Sequence, residues 1–329
     1  MTLVLPPTSD SLRLAADLLR QGRLVAFPTE TVYGLGAAAE NPAAVRSMFA
    51  AKGRPADHPV IVHLAHSSQL RDWAAEIPPA AERLAAAFWP GPLTLVLRRS
   101  GRASDLVTGG LETVGLRVPG QSVAQRLLQQ FDGGIAAPSA NRFGRVSPTT
   151  AEHVLSELDG LVDLILDGGP CTIGLESTIV DLSRGAPVVL RPGGITAEQL
   201  AAVLGPMCQP DNSHAPRVSG NLESHYAPQA RVELLPQEEI PPRARQLASQ
   251  GLKVAVLAHD AQSLVLPATA VTIALPNDDA ELAHVLYAAL RRVDELGCHV
   301  ALATLPIEQG IGAAVADRLK KAAGPRGIS

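Results

Sequence analysis

The sequence predicts an α/β protein of two domains. Short apolar runs bounded by Gly and Pro, such as 24–27, alternate with amphipathic patterns of helical length, such as Ser122–Phe131. A stretch rich in Pro, Ser and Asn interrupts this alternation after residue 205. Because 329 residues is long for one hydrophobic core, two domains are expected. We therefore predict a domain over 1–205, a linker over 206–230 and a smaller domain over 231–329.

Each element of the first domain follows from its own pattern. The first helix has an apolar stripe and ends at Gly22, and the third ends where Trp89-Pro90-Gly91-Pro92 begins. The predicted helices are 11–21, 42–51, 67–88, 122–131, 151–158 and 197–203. The predicted strands are 24–27, 60–64, 93–99, 113–118, 135–137, 163–167, 175–181 and 187–190.

The C-terminal part repeats strand and helix signals in a way that is typical of a small parallel, Rossmann-like α/β domain. Gly310 and Gly312 resemble part of a dinucleotide fingerprint, but the third glycine and the acidic partner are missing. We therefore interpret them as the start of the last helix. The predicted strands are 231–235, 252–258, 269–274 and 299–304, and the predicted helices are 241–250, 278–292 and 311–323.

Composition excludes several classes of protein. A net charge of −4 leaves no broad basic field for nucleic acid, so any RNA contact should be local or transient. The three cysteines, Cys171, Cys208 and Cys298, are far apart, which excludes zinc ribbons and favours a reducing compartment such as the cytoplasm. No apolar run approaches the roughly 18 residues of a membrane span, and no secretory leader is visible.

The densest polar stretch directly follows the first strand. Residues 28–36 place two Thr hydroxyls, the Glu30 carboxylate and the Tyr33 phenol close together. Gly34 and Gly36 are what we expect where the backbone passes close to a ligand. The next helix ends at a cationic turn that contains Lys52, the only lysine of the first 207 residues. An ammonium and a guanidinium act differently at a phosphate, which favours a functional Lys52, although chance also accounts for one lysine.

Two further candidates lie at strands, and each has a second interpretation. Arg117 has apolar neighbours, so it needs an anionic partner if it is buried, or it lies in solvent on an edge strand. Ser139 and Asn141 follow a strand of small residues, where α/β sheets bind ligands. Pro, Ser and Asn are equally typical of a plain turn.

Familiar catalytic motifs are missing. The sequence has no P-loop, no HExxH or comparable metal cluster, and no GxSxG elbow. What remains is a set of hydrogen-bond donors without a paired acid and base. Such a site suits phosphoryl or nucleotidyl transfer, which depends on positioning and charge neutralisation. The donors are Lys52, Arg54, Arg117, Arg191, Ser139, Asn141, Ser147, Ser177, Thr31 and Thr113.

Several short motifs occur together in order. They are PTETVYGLG at 28–36, Lys52-x-Arg54, Ser139-x-Asn141, ESTIVDL at 176–182, LRPGGI at 190–195 and HYAP at 225–228. With them the sequence resembles the YrdC/Sua5 family, the threonylcarbamoyl-AMP synthases. The resemblance covers essentially the whole chain, and the linker and C-terminal domain place it in the longer, Sua5-type branch.

The resemblance implies a reaction. Such enzymes make L-threonylcarbamoyl-AMP and pyrophosphate from L-threonine, bicarbonate (or CO2) and ATP, with Mg²⁺ bound to the ATP phosphates. A downstream tRNA threonylcarbamoyl transferase then passes the group to adenosine 37 of tRNAs that read ANN codons. From the net charge, the hydropathy and the missing metal motifs we expect at most weak contact with tRNA, no membrane partner, and no metal ligands among the protein side chains.

The resemblance also implies roles for residues. Thr31, His63, Arg117, Ala137 and Ser177 are expected to bind L-threonine. Lys52, Arg54, His58, Thr113, Ser139, Ser147, Arg191 and Tyr226 are expected to bind ATP, and catalysis is assigned to Lys52, Arg54, Ser139 and Asn141. The role of Tyr226 requires the linker to close over the site.

Other functions stay open on sequence alone. The main alternative is an RNA-binding accessory protein that uses the same cationic site without chemistry. A carbamoyltransferase with a related domain is disfavoured, because it should bring zinc-finger cysteines. The sequence identifies neither the role of the C-terminal domain nor a general base, for which His63, a water molecule and the substrate amine all qualify.

Overall fold

The protein is described by a computed structural model, which covers residues 1–205, 216–218, 220, 225–259 and 264–325. Most of the predicted linker, with Cys208, lies outside these described residues. The chain forms two compact units. The first combines Met1–Phe143 with Ser147–Asn221, and the second combines Gly144–Val146 with Leu222–Ser329. The sequence did not predict that three residues from the middle of the chain would group with its C-terminal part.

The first unit is built on a ten-stranded mixed sheet, as far as the described residues show. The strand order is β1-β8-β2-β3-β7-β4-β6-β5-β9-β10. This confirms the predicted α/β class. The strands are β1 Leu3–Leu5, β2 Val25–Phe27, β3 Gly34–Ala38, β4 Ile61–His63, β5 Leu93–Arg98, β6 Thr113–Arg117, β7 Ile135–Ala136, β8 Leu164–Leu166, β9 Thr178–Asp181 and β10 Val188–Arg191.

Helices cover this sheet, and their ends follow capping chemistry. Thr8 caps the first helix by accepting a hydrogen bond from the Ser11 amide, so the helix begins two residues before the predicted start. Gly53 ends the second helix in a left-handed conformation, φ 61°. The helices are α1 Ser9–Arg20, α2 Pro42–Lys52, α3 Leu70–Trp73, α4 Pro79–Phe88, α5 Asp105–Thr108, α6 Ser122–Phe131, α7 Ala151–Leu158 and α8 Ala197–Leu204.

One sequence prediction for this unit was wrong. The helix predicted over 67–88 is broken, because α3 ends at Trp73 and a new helix, α4, begins at Pro79. Gly34 and Gly36, which we expected where the backbone passes close to a ligand, lie in strand β3, between β2 and β7. A Cβ on Gly36 would lie 2.9 Å from the Phe27 ring and 3.0 Å from the Val25 carbonyl oxygen, so close packing requires this glycine.

The core of the first unit lies on both faces of its sheet. Successive residues of β2 point to opposite faces, so Ala26 packs in one buried cluster while Val25 and Phe27 pack in the other. The second cluster includes the apolar sides of α1 and α6. The strands that carry the candidate site are therefore fixed by packing on both sides.

The second unit has a four-stranded sheet in which every pairing is parallel, in the order β11-β14-β12-β13. This confirms the predicted parallel α/β architecture. The strands are β11 Arg231–Leu234, β12 Val254–Ala258, β13 Val271–Ala274 and β14 Val300–Ala303, and the helices are α9 Ile240–Ser249, α10 Asp279–Glu295 and α11 Gly312–Ala322. Among the described residues, no helix is long and apolar enough to span a membrane.

Candidate active site

The loop after β2 is a rigid, buried hydroxyl turn. The Thr29 hydroxyl donates to the Val32 carbonyl at 2.7 Å and accepts from the Val32 amide at 3.2 Å. It also lies 2.7 Å from the Thr31 hydroxyl. Tyr33, grouped with these polar residues in the sequence, is a core residue whose hydroxyl donates to the Gly169 carbonyl at 2.7 Å. Burial raises the pKa of Tyr33, so this phenol stays neutral.

Arg117 is buried at the end of β6, and its anionic partner is Glu30. Arg117 Nη2 lies 2.7 Å from Glu30 Oε1, and both side chains are at most one-tenth exposed. Arg117 Nη1 donates to the Thr31 hydroxyl at 2.9 Å, and Nε donates to the Gly91 carbonyl at 3.2 Å. Since β6 lies between β4 and β5, the interpretation of Arg117 as an exposed edge residue is wrong. Sequence analysis did not single out Glu30 as its partner.

His63 lies beside Arg117, because the two residues are register partners in the parallel pair β4–β6. Burial, together with the neighbouring guanidinium, lowers the pKa of His63 to about 3. The imidazole is therefore neutral at physiological pH and is a weak base. Ala137 follows β7 on the other side of β4, and its amide donates to the Ile61 carbonyl at 3.0 Å.

Ser177 forms a second buried cluster with Arg191 and Thr94. Its hydroxyl lies 2.8 Å from the Thr94 hydroxyl. The Arg191 guanidinium donates to the Ser177 carbonyl at 2.9 Å and to its hydroxyl at 3.2 Å. The LRPGGI segment approaches this point so closely that a Cβ on Gly193 would lie 2.3 Å from the Glu176 carbonyl oxygen. Thr94 was missed, because a threonine within an apolar strand gives no signal of its own.

Lys52 joins the end of α2 to the Ser-x-Asn segment. Its ammonium donates to the Ser139 carbonyl at 2.5 Å and also to the Asn141 carbonyl. The side chain is fully buried, and this burial, with the charge of Arg54, lowers the pKa of Lys52 well below its usual value. Lys52 therefore fixes the backbone whose side chains, Ser139 and Asn141, are the predicted catalytic donors.

Arg54 and His58 surround the ring of Phe143. The Arg54 guanidinium lies 5.9 Å from the ring centroid, and the His58 ring meets it edge-on at 5.5 Å. Arg54 also donates to the Pro59 carbonyl at 2.9 Å. Partial burial and the charge of Arg54 lower the pKa of His58, which favours its neutral form. Sequence analysis did not identify Phe143 as an organising residue.

Ser147 is buried, and its hydroxyl donates to Glu176 Oε1 at 2.6 Å. Glu176 is the first residue of the ESTIVDL motif and directly precedes Ser177, so it connects Ser147 to the Ser177 cluster. Glu176 was not among the predicted site residues, although its place in the motif was a usable signal.

Thr113 lines a shallow, mainly apolar groove that is open to solvent. Val218, from the described part of the predicted linker, contributes to one wall, and the neighbouring Arg217 lies 3.4 Å from Asp57. The other lining residues are Pro59, Val60, Ile61, Thr94, Val96, Gly115 and Ile179.

Tyr226 lies in the second unit and has a left-handed backbone conformation, φ 60°. Its ring stacks on Tyr287 with 5.7 Å between centroids and lies under the guanidinium of the buried Arg318 at 5.1 Å. The role of Tyr226 in binding ATP stays a prediction. Among the described residues there is no group of three or more His, Cys, Asp or Glu side chains that could hold a metal ion.

Comparison with known protein families gives two matches that together cover most of the chain. Residues 17–193 match a Sua5/YciO/YrdC family model described as "telomere recombination". Residues 195–324 match a model described as "threonylcarbamoyl-AMP synthase, C-terminal domain". The pairing of these two models agrees with the order of motifs in the sequence.

Two similar proteins over nearly the whole chain share a name. A threonylcarbamoyl-AMP synthase of Pyrococcus abyssi is 43% identical over 96% of this chain and 94% of its own length. One of Bacillus subtilis is 44% identical over 95% of this chain and 93% of its own length. The crystal structure of P. abyssi Sua5 complexed with L-threonine matches with a TM-score of 0.90 and 41% identity, over 98% of this chain and 97% of that one.

Proposed function

The chain belongs to the long, Sua5-type branch of the YrdC/Sua5 family of threonylcarbamoyl-AMP synthases, and we propose that it makes L-threonylcarbamoyladenylate and pyrophosphate from L-threonine, bicarbonate and ATP. It is an enzyme of the transferase class. The residues that carry out each step are our proposal.

The observation that carries the proposal is a set of buried cations in the first unit. Lys52, Arg54, Arg117 and Arg191 are each at most 8% exposed. Four positively charged side chains in one unit, together with hydroxyl donors such as Ser139 and Ser147, form the kind of donor set that stabilises a ligand with several negative charges. ATP is such a ligand. Its Mg²⁺ is part of the substrate complex, and the protein need not hold the ion itself.

The reaction joins two bond-forming steps. The threonine nitrogen forms a bond to the carbon of bicarbonate or CO2, giving a carbamate, and with bicarbonate one water is lost. A carbamate oxygen then attacks the α-phosphorus of ATP, and the bond to the pyrophosphate oxygen breaks. Charge on the phosphates grows along the path to the leaving group, so fixed cations lower the barrier.

We assign L-threonine to Thr31, His63, Arg117, Ala137 and Ser177. The direct bond between Arg117 and Thr31, and the register pairing of Arg117 with His63, support this assignment. Glu30 fixes the guanidinium, so Arg117 is preorganised and does not have to be ordered by the substrate. The neutral His63 acts as a hydrogen-bonding group.

We assign ATP to Lys52, Arg54, His58, Thr113, Ser139, Ser147, Arg191 and Tyr226. Lys52, Arg54, Ser139 and Asn141 form the catalytic group on the phosphate side. The apolar groove beside Thr113 has the chemistry that the flat face of a purine base requires. Closure of the linker over the site would keep water from the adenylate, and this remains part of the proposal.

Further features also remain proposals. A downstream tRNA threonylcarbamoyl transferase consumes the product, which is a reactive mixed anhydride. The cytoplasmic location, weak tRNA contact and the boundaries 1–205, 206–230 and 231–329 are predictions from the sequence.

The test is pyrophosphate release from ATP by the full chain. We expect release that requires both L-threonine and bicarbonate, with threonylcarbamoyl-AMP identified by mass. ATP turnover that does not depend on threonine would mean that L-threonine is not the acceptor substrate. If there is no turnover by a folded protein that binds RNA in a salt-dependent way, the accessory-protein alternative replaces the proposal.

A further inference from the structure

Three residues from the middle of the chain, Gly144–Val146, belong to the second unit, although Asn141 and Ser147 on either side belong to the first. Backbone contacts with Ala227 fix the beginning of this segment. The Ala227 amide donates to the Gly144 carbonyl at 3.0 Å, and Ala227 forms a parallel β-bridge with Arg145.

Arg291 fixes the end of the segment. Its Nη2 donates a hydrogen bond to the Val146 carbonyl, and Val146 is only 3% exposed. Arg291 follows Leu290 on α10, and Leu286, Tyr287 and Leu290 anchor that helix with fully buried side chains. The guanidinium is therefore held by a rigid element. A hydrogen bond from a charged donor to a buried carbonyl is stronger than a neutral one.

The next residue along the chain is Ser147, which we assign to ATP. Its hydroxyl donates to Glu176 at 2.6 Å, and the carbonyl of the following Pro148 accepts a bond from the Tyr33 amide at 2.9 Å. The Val146 carbonyl and the Ser147 amide are parts of one planar peptide group. A shift of this carbonyl must therefore shift the Ser147 backbone.

We infer that Arg291 is a positioning residue for the ATP side of the reaction. By holding the Val146 carbonyl it sets the place of Ser147 through the peptide group that the two residues share, without touching substrate. The inference rests on the proposed function, because it uses the assignment of Ser147 to ATP. A small displacement of a positioned group is enough to lower catalytic efficiency by orders of magnitude.

The experiment compares R291A, R291K and R292A in the full chain. Arg292 is the matched control, because it is the next residue on α10, is more than half exposed and pairs with Glu295 on the same helix. We expect R291A to raise the KM for ATP about tenfold, as for a lost charge-assisted bond, with the KM for L-threonine changed less than about twofold. R291K should recover part of the loss because it retains one charged donor. R292A should match the wild type.

Amide hydrogen exchange of the peptide that contains residues 144–147 gives a readout that does not depend on activity. Faster exchange in R291A than in R292A supports the contact between Arg291 and Val146, provided that the two variants have equal thermal unfolding midpoints. Equal exchange, or an equal rise in both KM values, would overturn the inference while leaving the function intact. If the wild type shows no threonine-dependent turnover, the proposed synthase function is wrong. The exchange comparison would still show whether Arg291 holds the Val146 carbonyl. If R291A does not fold, R291K and R292A provide the same comparison.

Discussion

The Lys52 ammonium donates a hydrogen bond to the Ser139 carbonyl at 2.5 Å, so the lone lysine of the first 207 residues holds the Ser-x-Asn segment in place. A second bond reaches the Asn141 carbonyl. An ammonium has three N–H donors, and two are used here by the described part of the protein. The third fits the phosphate contact that we propose. Lys52 therefore has a structural role in addition to the substrate role that we propose for it.

Lys52→Ala should lose both roles. The substitution removes the proposed phosphate contact, and it also lowers stability, because two carbonyls lose their buried donor. We expect pyrophosphate release to fall at least about 100-fold and the free energy of unfolding to fall by about 2–4 kcal/mol. Urea denaturation and the pyrophosphate assay measure the two effects. K320A, on an exposed lysine that pairs with Glu308, is the control. Wild-type turnover in Lys52→Ala would exclude the phosphate role.

Glu30→Gln should destabilise the first unit, because it leaves the Arg117 guanidinium buried without its anion. Breaking a buried ion pair by removing one partner costs about 3–5 kcal/mol. We expect Glu30→Gln to lower the free energy of unfolding by this amount, as measured by chemical denaturation. When Glu30→Gln is combined with Arg117→Met, the free energy of unfolding should fall by less than the sum of the two single losses. D10N, which breaks the exposed pair of Asp10 and Arg13 on α1, should change stability by less than about 1 kcal/mol. Additive single and double variants would show that the pair is not coupled.

His63 should make the protein sensitive to acid. Its pKa is about 3 in the folded protein, against an ordinary value of 6.5. Between these values the unfolded chain binds a proton that the folded protein does not, so the free energy of unfolding falls as pH falls. The contribution is at most about 1.4 kcal/mol per pH unit. H63Q should flatten this slope between pH 6 and 4, and H66Q, on an exposed histidine, should not. Equal slopes for H63Q and the wild type would contradict the neutral, buried imidazole.

Gly36→Ala tests the packing role of β3. The added methyl group would meet the Phe27 ring at 2.9 Å and the Val25 carbonyl oxygen at 3.0 Å. We expect a loss of about 1–3 kcal/mol in the free energy of unfolding, measured by denaturation. G115A is the matched control, because Gly115 also lies in a strand and its nearest neighbours would be 3.5 Å away. If Gly36→Ala had the stability of the wild type and lost only substrate binding, the original interpretation of Gly36 as a ligand-facing glycine would be restored.

Local sequence was enough for features that depend on neighbouring residues. The helix Ser122–Phe131 and the helix Ala151–Leu158 begin and end as predicted, since their caps and apolar stripes lie within one short stretch. The parallel C-terminal sheet followed from strand and helix signals in alternation. The family followed from short motifs that are contiguous in the chain, such as residues 28–36.

Pairings across the sheet were decided only by tertiary structure. Glu30 and Arg117 are 87 residues apart, and nothing local indicates that the partner of this strand arginine is a carboxylate from the chain itself. Thr94 meets Ser177 because β5 and β9 are neighbours in the sheet, which their order in the sequence does not reveal. The short strands Leu3–Leu5 and Gly34–Ala38 were missed for the same reason: they are stabilised by pairing with β8, and with β2 and β7, rather than by their own propensity. The residue types of the site were visible in the sequence, but their partners depend on sheet order and burial, which only the folded chain defines.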